Sequence, residues 1–408
     1  MRHRQACPTK PAVSGICPLG REFFLTIRQV IERRVLAPLP RRLSRYGYDF
    51  FRWLDVRSGG RPPAKHLALL ATNDLSRSGA PWVVREIADF LTSDGYDVVV
   101  VSMADGPMRD EFERLGARVL IDCYPDPRAP YLRRLAAQAS VAVANTVVTA
   151  ALVEAWAPHV LTMWYLHEVS LLERMLADGT AVEALSTAQQ VWAGSDMCAR
   201  VARARRSDIE VVPYGIEPLD KGATADAGQR FKIGVFGSIE PRKGQDLVIA
   251  AVDLLDQASR DQIEVHLYGR VLDADFARSV AAGTKRHPNI FHHGEVDRTG
   301  YIAALRTMDA VLVSSRDDTL PLVSIDALSA ERVLMLTPDV GTRSWLTDGS
   351  DAFIADETSA EGIRHLIDRA IDRRADAASI GAAARAVFDR EFSQPAFRAK
   401  FREALLSQ

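Results

Sequence analysis

The sequence predicts an α/β protein made of two doubly wound, Rossmann-like halves behind a basic N-terminal extension. Three observations carry this. From His66 onward, short apolar runs bounded by turn residues alternate with segments of helical periodicity, the pattern of parallel βαβ units. The alternation is interrupted by a polar Gly/Ala-rich stretch, Lys221–Gln229, and starts afresh at Phe231. In both halves strands run into glycine-bearing loops, at the carboxyl ends where an open parallel sheet binds its ligands.

Bulk properties agree with this class. At 408 residues the chain has room for two or three domains, and 47% hydrophobic against 25% charged residues suits a soluble globular protein with sizeable cores. A net charge of −2 argues against a nucleic-acid partner. That average hides an asymmetry: residues 1–65 hold 14 Lys+Arg and 4 Asp+Glu, leaving 37 basic and 49 acidic residues to the remainder. The cysteines Cys7, Cys17, Cys123 and Cys198 are scattered without metal-like spacing and read as unpaired thiols in a reducing compartment. No apolar run is long enough to cross a bilayer, and the basic N-terminus lacks the apolar core of a secretory signal. The expected location is cytoplasmic.

Residues 1–63 form the extension and its linker. Phe24, Ile27, Ile31 and Val35 recur at helical spacing, with Arg28, Arg33 and Arg34 elsewhere on the wheel. Tyr46, Tyr48, Phe50, Phe51 and Trp53 then interleave with Arg45 and Arg52. Over residues 21–55 this mixture suits the interface of an anionic membrane, here the inner face of the cytoplasmic membrane. The alternative is a helix packed on the protein's own body, or a tail. Ser58–Pro63 reads as a linker.

The first half spans residues 64–220. His66–Thr72 is a strand, Asn73–Pro81 a loop around Gly79, and Val83, Val84, Ile87, Ala88 and Leu91 mark a helix that Gly95 stops. Further strands are read at 97–102, 118–121, 141–144, 160–165, 190–193 and 209–212, with helical segments at 148–156 and 197–204. His167-Glu168 closes one strand on the crevice side.

After the linker at 221–229, the second half spans 230–390. Phe231–Phe236 is a strand running into Gly237-Ser-Ile-Glu-Pro-Arg242-Lys243-Gly244 and a helix. A glycine loop, two adjacent cations and a helix N-terminus suit a phosphate, although the P-loop pattern is absent. Strands at 263–268 and 290–293 close at Gly269-Arg270 and Gly294-Glu-Val296. The stretch from Leu312 to Ala330 reads as a strand end, a polar loop and an apolar helix. Asp318 lies at the junction, where free N–H groups and the dipole can hold an anion or hydroxyls. Asp326 lies inside the helix, where a buried carboxylate needs a partner. A further strand at 333–336 follows. Residues 391–408 are read as a C-terminal helix able to cross back to the first half.

These residues resemble the family 4 glycosyltransferases of the GT-B fold, from Leu67 to Leu406. G-S-I-E-P-R-K-G-Q-D-L is similar to the family's phosphate loop, S-S-R-D-D-T-L-P-L-V-S-I-D-A-L to its segment of two acids, V-P-Y-G-I-E to its interdomain signature, and S-G-A-P with L-H-E to its N-terminal elements. The resemblance implies retaining, metal-independent transfer of a hexosyl-type sugar from a nucleotide-diphosphate sugar to a saccharide, glycolipid or lipid-linked acceptor, in cell-envelope or polysaccharide biosynthesis and with no cofactor. Lys243 and Arg242 would bind the diphosphate near Gly237 and Ser238. Asp318 would hold the donor sugar, with the N–H groups of the Thr319, Leu320, Pro321, Leu322 segment. Asp326 would take the ribose hydroxyls, and Gly269, Arg270 and Val296 would lie at the base. Gly79 would approach the diphosphate from the other half, and His167 would line the sugar and acceptor side. Two departures stand out. Both acids are Asp where the family usually has Glu, and Ser238 stands where many members carry Arg. A sugar-nucleotide binder without activity and a nucleotide-sugar epimerase using His167 and Glu168 are the alternatives within this fold.

Overall fold

The computed structural model of the protein describes residues 66–221 and 230–406, together with positions 31, 35, 36, 39, 43 and 46–50. Cys7, Cys17, the 58–63 linker, residues 222–229 and most of the helical and aromatic tract of the extension lie outside the described residues. Elements are numbered from residue 66.

The first half is a seven-stranded parallel sheet. Its strands are β1 (Leu67–Thr72), β2 (Asp97–Ser102), β3 (Arg118–Ile121), β4 (Val141–Asn145), β5 (Thr162–Leu166), β6 (Gln190–Ala193) and β7 (Glu210–Val211), in the order β3-β2-β1-β4-β5-β6-β7. All six residues of β1 are buried, because helices cover both faces of a parallel sheet and leave no polar side. Those helices are α1 (Gly79–Ser93), α2 (Arg109–Arg114), α3 (Pro130–Ala136), α4 (Ala150–Trp156), α5 (Ser170–Ala177), α6 (Val182–Thr187) and α7 (Asp196–Arg203).

The second half is a six-stranded parallel sheet: β8 (Phe231–Phe236), β9 (Ile263–Tyr268), β10 (Ile290–Gly294), β11 (Ala310–Val313), β12 (Val333–Leu336) and β13 (Phe353–Ile354), ordered β10-β9-β8-β11-β12-β13. Its helices are α8 (Gln245–Leu254), α9 (Gln257–Asp261), α10 (Ala274–Thr284), α11 (Arg298–Arg306), α12 (Leu322–Ser329), α13 (Ala360–Asp372) and α14 (Ala377–Val387), followed by α15 (Gln394–Leu406). The expected pair of doubly wound sheets is the architecture found.

Details differ from expectation for identifiable reasons. Residues 79–81 are helical rather than loop: Ser78 is extended, α1 begins at Gly79, and Pro81 is tolerated because first-turn N–H groups have no intrahelical partner anyway. Val160 belongs to a turn after α4, its N–H donating to Trp156 O at 3.1 Å, so β5 starts later than its apolar run suggests. The helix read over 391–408 starts later, because Ser393 is extended and separates α15 from the helical turn Phe388–Phe392. α15 then lies against the first half: Phe401 meets Phe90 and Trp192 edge-on, and Arg398 and Arg402 pair with Asp89 of α1 and with Asp94 just past its end, each at 2.8 Å. One apolar core runs through both halves, joining Val83 and Ile87 to Leu320 and Ile325 by way of Tyr214 and Phe397.

Candidate functional site

The two sheets face each other through their switch points, the places where strand order reverses and a crevice opens. In the second half that point lies between β8 and β11. Both motif loops leave from there, Gly237–Gly244 after β8 and Ser314–Pro321 after β11. In the first half it lies between β1 and β4, next to the loop before α1 and to β5 with its trailing His167.

The Gly237–Gly244 loop is tightly held. Gly244 has φ +71°, and a side chain there would bring its Cβ to 2.1 Å from Ser314 O, so only glycine serves. Ser314 Oγ donates to Lys243 O at 2.8 Å, and Arg316 N–H to Arg242 O at 2.8 Å, tying the two loops together. The Lys243 ammonium donates to Asp318 Oδ2, which also accepts from Ser315 Oγ at 3.2 Å. Arg242 donates to Asp317 O at 2.9 Å and to Glu240 Oε1 at 3.2 Å, and its guanidinium stands 3.9 Å from Asp318 Oδ1. Ser238 Oγ donates to Glu240 at 2.6 Å. The loop therefore keeps two cations in a fixed place beside one carboxylate. Asp318 is pinned through its backbone, its N–H to Asp339 O and its carbonyl to Gly341 N–H. The N–H groups of Thr319 and Leu320 donate to no described residue, leaving two donors just ahead of α12.

The opposite wall comes from the first half. The His167 ring lies against Tyr165, tilted by 52° with centroids 4.2 Å apart, and its Nε2 lies 2.7 Å from Asn145 Oδ1. Asn145 Nδ2 donates to Ala80 O at 3.1 Å, which turns the amide oxygen toward the imidazole and makes Nε2 the donor. Burial lowers the imidazole to about 3. Burial also pushes the Glu168 carboxyl up, opposed by the N–H groups of Val147 and His167 that it accepts. Ser170 Oγ donates across the gap to Asp317 Oδ2 at 2.8 Å.

Between the walls is a cleft of about 400 Å³. Of the residues expected at the site, Gly79 and His167 line it from one half and Arg242, Asp318, Thr319 and Leu320 from the other. Lys243 lies beside it, in a small recess with Phe236, Gln245 and Val323. Leu322 faces Gly79, at 3.8 Å from where its Cβ would be. Gly237 and Gly269 touch back to back: a Cβ on Gly269 would fall 1.8 Å from Gly237 O. Arg270 accepts from Ile239 N–H through its carbonyl at 2.8 Å, and Val296 is half-buried against Gly300. Pro321 is buried and opens α12.

The Asp326 side chain is fully buried, and its oxygens accept from Arg298 Nη1 at 2.8 Å, Arg298 Nη2 at 3.2 Å and Tyr301 Oη at 2.8 Å. The partner that a lone acid in an apolar helix calls for is supplied by the protein itself. Asn145, Ser170 and Arg298 lie outside every quoted motif, and Asp317 lies within the two-acid segment without being one of its two acids. Among the described residues no group of three or more His, Cys, Asp or Glu could hold a metal ion.

Residues 64–217 match the family described as Glycosyl-transferase family 4, and residues 218–387 the family described as Glycosyl transferases group 1. Comparison with curated proteins gave no match. Among solved structures, HepE of Anabaena in complex with UDP and glucose is similar at 18% identity and a TM-score of 0.70, over 84% of this chain and 99% of that one. Sucrose-phosphate synthase of Thermosynechococcus elongatus is similar at 14% identity and 0.65, over 84% and 100%. The lipopolysaccharide outer core galactosyltransferase WaaB in its apo form is similar at 11% identity and 0.66, over 84% and 99%. At such identities the likeness is one of fold, the GT-B arrangement.

Proposed function

The chain belongs to the family 4 glycosyltransferases, and on that premise we propose that it transfers a hexosyl-type sugar, with retention, from a nucleotide-diphosphate sugar to a saccharide, glycolipid or lipid-linked acceptor in envelope or polysaccharide synthesis. One observation carries the reading: Lys243 and Arg242 stand fixed beside Asp318 at the sheet switch point, facing His167 across the cleft. Breaking the glycosidic bond sends its electron pair to the β-phosphate. Fixed cations beside that oxygen stabilise the charge as it develops. Lys243 exchanges its carboxylate partner for the diphosphate, and Asp318 turns to the sugar hydroxyls together with the free N–H groups of Thr319 and Leu320. The acceptor oxygen attacks from the face the phosphate leaves, and the phosphate takes its proton. No step calls for protonated His167, which agrees with an imidazole held neutral by burial.

HepE was solved with UDP and glucose, so a UDP-hexose is the first donor to try, ahead of GDP- and ADP-sugars. Transfer is assayed in chelator, and the product's anomeric configuration is read by NMR. Lys243→Ala is expected to lower kcat/KM by about 10²–10³-fold, the scale for losing one charge-stabilising donor. Unchanged turnover in a folded Lys243→Ala protein would remove the phosphate role. Transfer from any donor excludes the binder without activity, and a glycoside product rather than an isomerised donor excludes the epimerase.

The protein also works, in this reading, at an anionic membrane surface. Leu36 and Tyr48 of the extension are buried on the first half, while Val35, Leu39, Leu43, Tyr46 and Phe50 are 40–75% exposed. Apolar side chains held outward in a tract of net positive charge suit a lipid interface. No helix among the described residues is long and apolar enough to cross a membrane.

A further inference from the structure

One buried oxygen beside the phosphate loop lacks a donor. Gln245 opens α8 directly after Gly244 and is 1% exposed. Its Nε2 donates to Ser238 O at 2.8 Å, which folds the side chain back over the Gly237–Gly244 loop and fixes which end of the amide is the oxygen. Oε1 is buried and accepts from no donor among the described residues. An unpaired buried acceptor is costly until something fills it. The recess that Gln245 shares with Lys243, Ser314, Ser315 and Asp318 has a volume of about 10 Å³, too little for a substrate group larger than a water. A partner for Oε1 therefore comes from the lining or from one water. Ser314 Oγ is spent on Lys243 O, and Ser315 Oγ on Asp318 Oδ2. Lys243 is not spent: its ammonium has three N–H groups and, among the described residues, gives one of them, to Asp318.

We propose that Gln245 is the positioning residue of Lys243: when a diphosphate displaces Asp318 from the ammonium, one N–H passes to Gln245 Oε1 while another holds a phosphate oxygen. The proposal rests on the nucleotide-sugar reading. The diphosphate cannot satisfy Oε1 itself, because its ionised oxygens only accept. Ligand binding thus pairs an oxygen that the free protein leaves unpaired, and the gain exists only with the ligand in place. The lysine stem is backed by Gly237, whose Cβ would lie 3.5 Å from Lys243 Cδ, so the head turns while the stem stays. A lysine is a point charge on a flexible chain, without the fixed fork of an arginine. An acceptor fixed at its head gives that charge one direction, toward the oxygen on which negative charge develops.

The test is a double-mutant cycle read by calorimetric titration with UDP, or with GDP or ADP if the unaltered protein prefers one of them. Gln245→Met keeps the volume and removes the amide. It is expected to weaken binding about ten- to a hundredfold, the scale of one hydrogen bond to a charged group. Made on Lys243→Ala, the same change is expected to weaken binding less than about threefold, because the contact it removes is already gone. Equal losses on the two backgrounds overturn the Gln245–Lys243 contact and leave the donor reading standing, as does a Gln245→Met protein that binds like the unaltered one. If the unaltered protein binds none of the three nucleotides, donor reading and contact fall together. A crystal structure of the unaltered protein with its nucleotide separates this contact from a role in shaping the loop through Ser238, and it decides alone should Gln245→Met not fold. Lys243 Nζ is expected within about 3.2 Å of both Gln245 Oε1 and a phosphate oxygen. A water on Oε1 in place of the ammonium, or an ammonium still held by Asp318 alone, overturns the proposal.

Discussion

His167 sits where a general acid or base would sit, yet it does not titrate where one must. The imidazole is neutral, and Asn145 and Ala80 fix its tautomer. Stability carries the trace of this. Below its ordinary value of 6.5 the unfolded chain takes up a proton that the folded chain refuses down to about 3, so stability is lost as pH falls through that window. Urea unfolding at about pH 7.5 and about pH 5 should show the unaltered protein losing more stability between the two than His167→Asn does. Equal losses would mean the folded imidazole is charged. The sequence exposes His167 and Glu168 because they close an apolar run. It hides Asn145, whose partners lie 22 and 65 positions away. Arg298 and Tyr301 escape for the same reason, standing 28 and 25 positions from Asp326. A lone acid in an apolar helix announces that it has a partner, and only the fold says which.

At the level of elements, buried parallel strands are the most legible part of the chain. Runs such as Asp97–Ser102, Phe231–Phe236 and Ala310–Val313 are apolar on both faces and end at turn residues, so their limits follow from composition. The short helices α5 and α6 do not stand out, since eight and six residues give barely two turns of periodicity. Yet α5 brings Ser170, Leu171 and Arg174 to the cleft. Helix α15 is legible as amphipathic, but its destination is not. What holds it is apolar: its ion pairs are partly open to solvent, which screens them, whereas Phe401 is fully buried between Phe90 and Trp192. Phe401→Ala should destabilise the protein by about 3–5 kcal/mol in denaturant unfolding. Arg402→Ala should leave the unfolding midpoint nearly unchanged, since its ion pair is screened by solvent. A reversed order would make the clamp electrostatic.

Across the whole molecule the cleft is framed by contacts that cross from one half to the other. Tyr214 Oη donates to Leu320 O, Leu219 N–H to Ser329 Oγ at 2.6 Å, and Ser170 to Asp317. The exposed apolar side chains between residues 35 and 50 lie beside Leu36 and Tyr48, which are buried on the first half, so a membrane-bound molecule would be held by that half, with the Gly237–Gly244 loop on the other. Protein lacking residues 1–60 should lose co-sedimentation with anionic vesicles while still binding nucleotide; retained sedimentation would remove the membrane role. The helix that ends the described chain adds a constraint of a different kind. Residues of α15 bond to Glu86 of α1 and to Asp94 just past its end, across 308 positions. On a ribosome, therefore, the first half emerges with Phe90 and Trp192 still uncovered, and it waits through synthesis of the entire second half for the segment that covers them. Its maturation is then not vectorial. The two halves finish together, and the interval between them is when this chain is most open to chaperones and to aggregation.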